Sequence, residues 1–448
     1  MKMKKVTALM ITLLVAATAI GQDITGSWYG ALKASGTQLR IVFNISKTDN
    51  GYRSTMDSPD QGAYGIEANT TTFDQSKLKI EVAKIGLVYS GELKDTVFTG
   101  TLMQGGMTIN MVLSKTKIEK VVTVRPQEPK KPYPYRSEEV KFRNETAGIE
   151  LAGTLTMPTN GAHFPVVVLI SGSGPQNRDE ELMGHKPFLI LSDYLTRNGI
   201  AVLRFDDRGT AQSTGNFQTA TSDDFATDVE AAIAYLKTRN ELNNNQIGLI
   251  GHSEGGIIAP LVAAKLKKDV HFIVLMAGTG VPGSQVLLKQ QELIARASGL
   301  AEAQIEQNRA ANAKVFDIIT RSENVEKMRA DLAGLIPNQS QLDQITSPWM
   351  VHFIQYDPVT ALRKVSCPVL ALNGSLDLQV APKENLEAIQ EALTKSGNKQ
   401  VTIHEFPGLN HLFQECSTGS PDEYGKIEQT ISPKVLDTIA QWILSQTK

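Results

Sequence analysis

The chain has 448 residues, more than one ordinary domain holds, so two or three domains are expected. Hydrophobic residues make up 41% and charged residues 21% of the sequence, which argues against a disordered chain and against a polytopic membrane protein. The formal net charge is -2 and no basic stripe with interleaved aromatic residues occurs, so nucleic acid is not expected as a partner.

Residues 1–22 have the pattern of a secretory signal peptide. Lysines precede an apolar run over residues 6–20, and the small residue Gly21 follows it. The run is short for a membrane span, so we expect cleavage near Gln22, with retention as a membrane anchor as the alternative. No cysteine follows the run, which excludes a lipoprotein anchor. The protein is therefore expected to be exported to the periplasm or secreted, with no membrane span after cleavage.

Residues 23–117 show the period-two pattern of half-buried strands. Apolar residues alternate with polar ones over 39–45 and 78–82, and turn sequences such as 49–51 separate the segments. The pattern predicts a small all-β accessory domain with a barrel-like form. Its opening, Gly26-Ser27-Trp28, resembles the start of lipocalin-like barrels, so ligand binding and a purely structural role both remain open.

Residues 118–137 contain four prolines among charged residues, which predicts an extended linker. Beyond it, residues 138–448 alternate short apolar runs with helical patterns, as in a mostly parallel sheet with crossover helices. The predicted strands are 139–143, 150–157, 165–170, 201–205, 247–250, 272–276, 369–372 and 401–405. No strand pattern occurs over 281–366, where we predict an inserted helical cap. The fold class is thus α/β, preceded by the all-β domain.

The sequence Gly251-His252-Ser253-Glu254-Gly255 follows a predicted strand and precedes a predicted helix. This is the pattern and the context of a nucleophile elbow, a strained turn that exposes a serine at the carboxyl edge of a sheet. Glycine is needed two positions before and after the serine because side chains there would clash. Ser253 is therefore the predicted nucleophile.

A serine hydroxyl needs an imidazole to accept its proton and a carboxylate to orient that imidazole. His411 lies in a loop after the last strand and before the final helix, where this order of elements places the base. Asp377 follows the strand 369–372 and is the preferred acid. Asp357, before that strand, and Glu405, close to the histidine, are less suitable carboxylates.

The negative charge of a tetrahedral intermediate needs backbone N–H donors. The amide of Glu254, directly after the nucleophile, is one candidate. The other comes from the glycine-rich turn after strand 165–170, where Ser173 is favoured and Gly172 is the alternative.

From about Val140 to its end, the chain resembles α/β-hydrolases of the serine-aminopeptidase and EstD-type esterase group. The resemblance rests on the elbow, Asp377 and His411, and on the sequences 171–175, 178–179, 204–209 and 213–215. Two positions depart from the pattern, because Ser171 replaces a frequent histidine and Ala211 a usual glycine. We interpret Asp206-Asp207-Arg208 as a structural ion-pair network that shapes its loop.

We therefore predict a serine esterase that acts on small-molecule esters, with short acyl chains favoured and no metal or organic cofactor. A peptidase of the aminopeptidase type is the alternative. It would need carboxylates to bind the substrate amine, for which the cap offers Glu292, Glu302 and Glu306. A non-catalytic binding protein is the third hypothesis. The sequence leaves open the oligomeric state and whether its two cysteines form a disulfide.

Overall fold

The computed structural model describes residues 23–34, 37–61, 63–104, 107–119 and 125–448. The predicted signal peptide and part of the predicted linker lie outside the described residues. Contacts along the chain divide it into two compact units, with the boundary after position 121. Each unit is described by itself.

The first unit is an antiparallel sheet with nine strands among its described residues. They are β1 Gly26–Ala34, β2 Thr37–Thr48, β3 Gly51–Ser58, β4 Ala63–Glu67, β5 Thr70–Asp74, β6 Lys77–Val82, β7 Leu87–Lys94, β8 Val97–Gln104 and β9 Met107–Ser114. Their order is β4-β3-β2-β1-β9-β8-β7-β6-β5. Trp28, Phe43, Tyr89 and Phe98 are buried in its core, and the Trp28 and Phe98 rings lie 4.6 Å apart. The predicted all-β character is confirmed.

The second unit is built on an eight-stranded sheet. Its strands are β10 Arg136–Asn144, β11 Ile149–Met157, β12 Phe164–Ile170, β13 Ala201–Phe205, β14 Leu242–His252, β15 Phe272–Met276, β16 Val369–Gly374 and β17 Val401–Phe406. The order is β10-β11-β13-β12-β14-β15-β16-β17. The pairs β10–β11 and β11–β13 are antiparallel. All other pairings are parallel. The predicted α/β class is confirmed.

Helices cover both faces of this sheet because its central strands are apolar on both sides. On one face pack α2 Ser222–Leu236, α3 Gly255–Lys265, α9 Val359–Leu362 and α10 Pro382–Lys395. On the other face pack α1 Pro187–Arg197 and α12 Pro433–Gln446, while the short helix α11 is Pro421–Tyr424. The parallel strands therefore all end at one edge, where the loops that carry the predicted site residues begin.

The segment after β15 forms the predicted helical cap. Its helices are α4 Gly283–Ala297, α5 Glu302–Arg321, α6 Val325–Ala333, α7 Gln339–Ile345 and α8 Pro348–Gln355. Phe316, Ile319, Leu332 and Ile354 form a small hydrophobic core of the cap. Part of the apolar surface of the cap helices is therefore buried against other cap helices and not against the sheet.

Residues 125–135, which fall within the predicted linker, make specific contacts in the second unit. The buried guanidinium of Arg125 donates hydrogen bonds to the carbonyls of Met183, Gly184, Gly425 and Ile427. The Tyr135 hydroxyl donates to Asp193 at 2.8 Å. This stretch is therefore bound to the second unit.

The two cysteines, Cys367 and Cys416, are both unbridged. Within the described ranges, no helix is long and apolar enough to cross a membrane.

Candidate active site

Ser253 occupies the sharp turn between β14 and α3. Its φ of 53° is in the left-handed region, which a non-glycine residue rarely adopts. A Cβ on Gly251 would lie 2.0 Å from the carbonyl oxygen of Gly255, and a Cβ on Gly255 would lie 2.2 Å from that of Ile170. Both glycines are therefore required by close backbone approach, as the sequence predicts for an elbow.

His411 and Asp377 come together from two loops at the same edge of the sheet. The His411 Nδ1–H donates to Asp377 Oδ2 at 2.7 Å, and both side chains are buried. Asp377 Oδ1 accepts the backbone N–H groups of Gln379 at 2.8 Å and Val380 at 2.9 Å. These bonds fix the carboxylate, which in turn fixes the imidazole tautomer and leaves Nε2 as the free nitrogen.

Ser253 and His411 line one cavity of about 320 Å³ beneath the cap. Cap helices α4 and α8 supply much of its apolar wall through Val286, Leu287, Trp349, Met350 and Phe353. No lysine or arginine is among the described residues that line it. The cavity can therefore hold a small, largely apolar group next to the serine hydroxyl.

The three predicted oxyanion donors line the same cavity but differ in their hydrogen bonds. The N–H of Gly172 donates to Glu180 Oε1 at 2.8 Å and is engaged. The N–H groups of Ser173 and Glu254 make no hydrogen bond with any residue in the described part of the chain. Those two amides are the free donors beside Ser253.

The Glu254 side chain is buried and connects three elements. Its Oε1 accepts the Ser222 hydroxyl of α2 at 2.6 Å and the Trp349 indole N–H of cap helix α8 at 2.9 Å. Burial raises the pKa of Glu254, and the hydrogen bonds from its donors offset part of this rise. The residue after the nucleophile thus connects the cap to α2.

Two residues of the loop Asp206-Asp207-Arg208, Asp206 and Arg208, form ion pairs. Asp206 accepts from Arg178 at 2.7 Å, and Arg208 donates to Asp228 at 2.7 Å. For Asp207 the predicted ion-pair role is wrong, because it pairs with no basic residue among those described. It accepts the Ser171 hydroxyl at 2.6 Å and the Gln176 N–H at 2.8 Å. Burial raises the pKa of Asp207 to about 8.

The two departures from the family pattern have local consequences. The Ser171 hydroxyl is bound to Asp207, so it anchors the turn that carries the oxyanion candidates. Ala211 has a φ of 47°, in the left-handed region that explains why glycine is usual there.

The alternative carboxylates lie away from this cavity. Asp357 is exposed and caps the N–H of Val359, and Glu405 is exposed on β17. In the cap, Glu292 and Glu302 form ion pairs with Arg296. None of the three cap glutamates lines the cavity, so the cap supplies no acidic anchor for a substrate amine.

Sequence reasoning misses two residues of this site, the buried Glu180 and the half-buried Trp349. Glu180 accepts from His252, which lies 72 positions later in the chain, and Trp349 reaches Glu254 over 95 positions. Neither contact leaves a periodic signal. For Glu180, the only local indication in the sequence is its position directly after Arg178-Asp179, which belong to the family pattern.

Comparisons with known proteins identify the family of the chain. The family model described as serine aminopeptidase, S33, matches residues 187–415, about half of the chain. Esterase EstD of Thermotoga maritima is 27% identical over 295 residues, which are 66% of this chain and 65% of EstD. The chain thus spans just under two thirds of the length of that relative.

Solved structures give weaker similarities. Est1E from Butyrivibrio proteoclasticus, solved with ferulic acid, is 19% identical, with 69% of this chain and 99% of that chain covered and a TM-score of 0.44. An esterase of Pyrococcus furiosus is 15% identical, with 69% and 93% covered and a TM-score of 0.42.

Proposed function

The chain belongs to the serine aminopeptidase (S33) family of hydrolases, and we propose that it is a serine esterase that forms an acyl intermediate on Ser253. The observation that carries the proposal is the convergence on one cavity of the elbow serine and a histidine bound to a buried aspartate at 2.7 Å. This is the arrangement that activates a serine hydroxyl at neutral pH.

In the first half of the reaction, Ser253 Oγ attacks the ester carbonyl carbon while His411 Nε2 accepts the hydroxyl proton. The carbonyl oxygen becomes an oxyanion, which the free N–H groups of Glu254 and Ser173 stabilise. When the intermediate collapses, the bond to the alcohol oxygen breaks and His411 returns the proton to the leaving alcohol. Asp377 stays ionised and stabilises the imidazolium.

In the second half, a water molecule attacks the acyl group on Ser253 and His411 Nε2 takes one of its protons. A second oxyanion forms in the same place, and its collapse releases the carboxylic acid. The proton on His411 returns to Ser253 Oγ, so the enzyme is regenerated without a metal or organic cofactor.

The shape of the cavity supports short acyl chains. Its volume of about 320 Å³ is at the lower end of the roughly 300–1,000 Å³ usual for ligand sites. The rings of Trp349 and Phe353 stack with their centroids 5.4 Å apart and form part of the cavity wall that the cap contributes. We infer that acetate and butyrate esters fit better than long acyl chains.

The electrostatics support ester over aminoacyl amide substrates. A peptidase of this kind needs an unengaged carboxylate for the charged amine of its substrate. Glu180 and Glu254 line the cavity, but both carboxyl groups are already hydrogen-bonded. Glu180 is bound to His252 and to the N–H of Gly172, and Glu254 accepts from Ser222 and Trp349. An ester also has the better leaving group and needs less help from the general acid.

The test is to compare kcat/KM for p-nitrophenyl acetate and butyrate with that for alanyl and leucyl p-nitroanilides, using Ser253→Ala as the blank. We expect ester cleavage to exceed amide cleavage by more than roughly tenfold because of the leaving group. Amide cleavage within that factor would make the aminopeptidase the better description.

A further inference from the structure

His252, the residue before the nucleophile, is buried at the centre of the site. Its ring centroid lies 4.9 Å from that of His411. Buried histidines are usually neutral because burial disfavours the charged form. The hydrogen bonds of His252 indicate the opposite state.

Both ring nitrogens of His252 face acceptors. Nε2 lies 3.0 Å from the backbone carbonyl oxygen of His411, which has no hydrogen to donate. Nδ1 lies 2.9 Å from Glu180 Oε1, which also accepts the N–H of Gly172 at 2.8 Å. An oxygen that accepts two hydrogen bonds is best supplied by an ionised carboxylate. Each ring nitrogen then carries a hydrogen, and the ring is an imidazolium.

Glu180 is held in place for this contact. It is buried and has a φ of 51°, in the left-handed region. Its own N–H donates to the carbonyl of Asn177 at 2.8 Å in a tight turn. Such a backbone conformation persists only where the surrounding structure imposes it.

We propose that His252 and Glu180 form a buried imidazolium–carboxylate pair that positions the loops of the active site. The pair joins the oxyanion turn through the N–H of Gly172, the elbow through His252 itself, and the base loop through the carbonyl of His411. Neither residue needs to touch the reacting atoms, so both are positioning residues. The proposal rests on the esterase function only for its kinetic part.

The charged groups around His252 are consistent with this state. Burial lowers the pKa of His252, but Glu180, the His411 carbonyl and the Asp377 carboxylate raise it, and the net direction is upward. The neighbouring ring of His411 is hydrogen-bonded to Asp377. Phe413, which packs edge-on at 6.4 Å, adds no charge.

His185 provides a control within the same chain. It is also buried with both nitrogens bonded, to the Thr430 hydroxyl at 2.8 Å and the Tyr424 carbonyl at 2.9 Å. No carboxylate faces it among the described residues, and burial lowers its pKa to about 4. His185 should therefore be neutral under conditions in which His252 is charged.

The first experiment measures the protonation state directly by ¹⁵N NMR of the full chain with labelled histidine at pH 7.5. His252 should show two protonated ring nitrogens and His185 one, with assignments from His252→Gln and His185→Gln. If a substituted chain fails to fold, the resonance that moves in Glu180→Gln assigns His252. A neutral His252 in the wild type would overturn the proposal, whether or not the protein hydrolyses esters.

The second experiment tests the positioning role with Glu180→Gln, which keeps an acceptor oxygen but removes the charge. His252 should lose one proton, and kcat for p-nitrophenyl acetate should fall by about 10²-fold, the cost typical of a small misplacement of catalytic groups. KM should change by less than about threefold, because substrate contacts are intact.

Glu181→Gln is the matched control for Glu180→Gln, since Glu181 is adjacent and exposed and should leave kcat unchanged. If His252 is an imidazolium in the wild type but Glu180→Gln keeps the wild-type kcat, the charge pair exists and has no positioning role. Absence of ester cleavage in the wild type would instead refute the proposed function and leave the NMR result to decide the charge pair.

Discussion

At the scale of single residues, the proposed chemistry depends on the carboxylate that holds His411 in one tautomer. Asp377→Asn preserves the shape of the side chain but presents an amide that stabilises the wrong tautomer. We expect kcat for aryl esters to fall by up to about 10⁴-fold with no change in circular dichroism. Asp357→Asn is the matched control because that exposed residue caps a helix away from the cavity. Similar losses in both variants, or none in the first, would contradict the assignment.

The second prediction concerns Asp207, whose pKa burial raises from 3.8 to about 8. Between these values the unfolded chain loses the proton while the folded chain keeps it, so the stability of the folded state falls as pH rises. An asparagine side chain at this position has no such proton to lose. The free energy of unfolding of Asp207→Asn should therefore rise relative to that of the wild type from pH 4 to about pH 8, and the difference should be constant above it.

Urea unfolding at a series of pH values measures this effect. Asp206→Asn provides the contrast, because it removes the more deeply buried of the two carboxylate partners of Arg178, the other being Glu139, and should destabilise the protein. A stability difference for Asp207→Asn that does not change with pH would show that Asp207 is ionised in the folded state.

At the scale of elements, a side-chain hydrogen bond joins the cap to the nucleophile elbow. The Trp349 indole of α8 donates to Glu254, directly after Ser253. Trp349→Phe keeps an aromatic wall but removes this donor from a buried acceptor, so we expect a loss of about 1 to 3 kcal/mol in unfolding free energy. Because the cap shapes the cavity, the ratio of butyrate to acetate cleavage should also change.

Trp442→Phe is the control for this variant. Its ring packs against the buried Phe272, and its indole donates at 3.3 Å to the Thr402 hydroxyl near the surface. Trp442→Phe therefore loses ring packing without removing a donor from a buried acceptor, and should cost less unfolding free energy than Trp349→Phe. If Trp349→Phe changes neither stability nor acyl selectivity, the cap does not act on the site through Glu254.

The elements differ in how far the sequence predicts them. The elbow could be predicted because its constraints are local, since the glycines at 251 and 255 meet backbone atoms within a few residues or on the adjacent strand. The helical character of the cap follows from its composition. Its contacts do not, because the indole of Trp349 finds Glu254 only through the tertiary packing of α8.

At the scale of the whole molecule, the residues from Arg125 to Tyr135 determine where the catalytic unit begins. The sequence predicts a linker there because prolines and charges carry no packing signal. The structure instead binds Arg125 to four carbonyls and Gln127 to the backbone of residues 430–431. These partners lie up to 304 positions away, so no local pattern reveals them.

A pair of truncated chains tests this boundary. A chain that begins at Arg125 should be active and stable, since every proposed catalytic residue lies beyond that point. A chain that begins at Pro132 lacks Arg125 and Gln127 and leaves their buried carbonyl partners without donors, so its Tm should be lower. Equal Tm values would show that the segment contributes nothing. An inactive but folded first chain would instead implicate the β-sheet unit in catalysis.

The central claim, that Ser253 is the nucleophile of an acyl hydrolase, is tested most directly by labelling the full chain with an active-site fluorophosphonate. We expect one adduct per chain by intact mass, located on Ser253 by peptide mapping. Ser253→Ala should give no adduct while its circular dichroism is unchanged, and the exposed control Ser445→Ala should label fully. An adduct on another residue, or undiminished labelling of Ser253→Ala, would contradict the account.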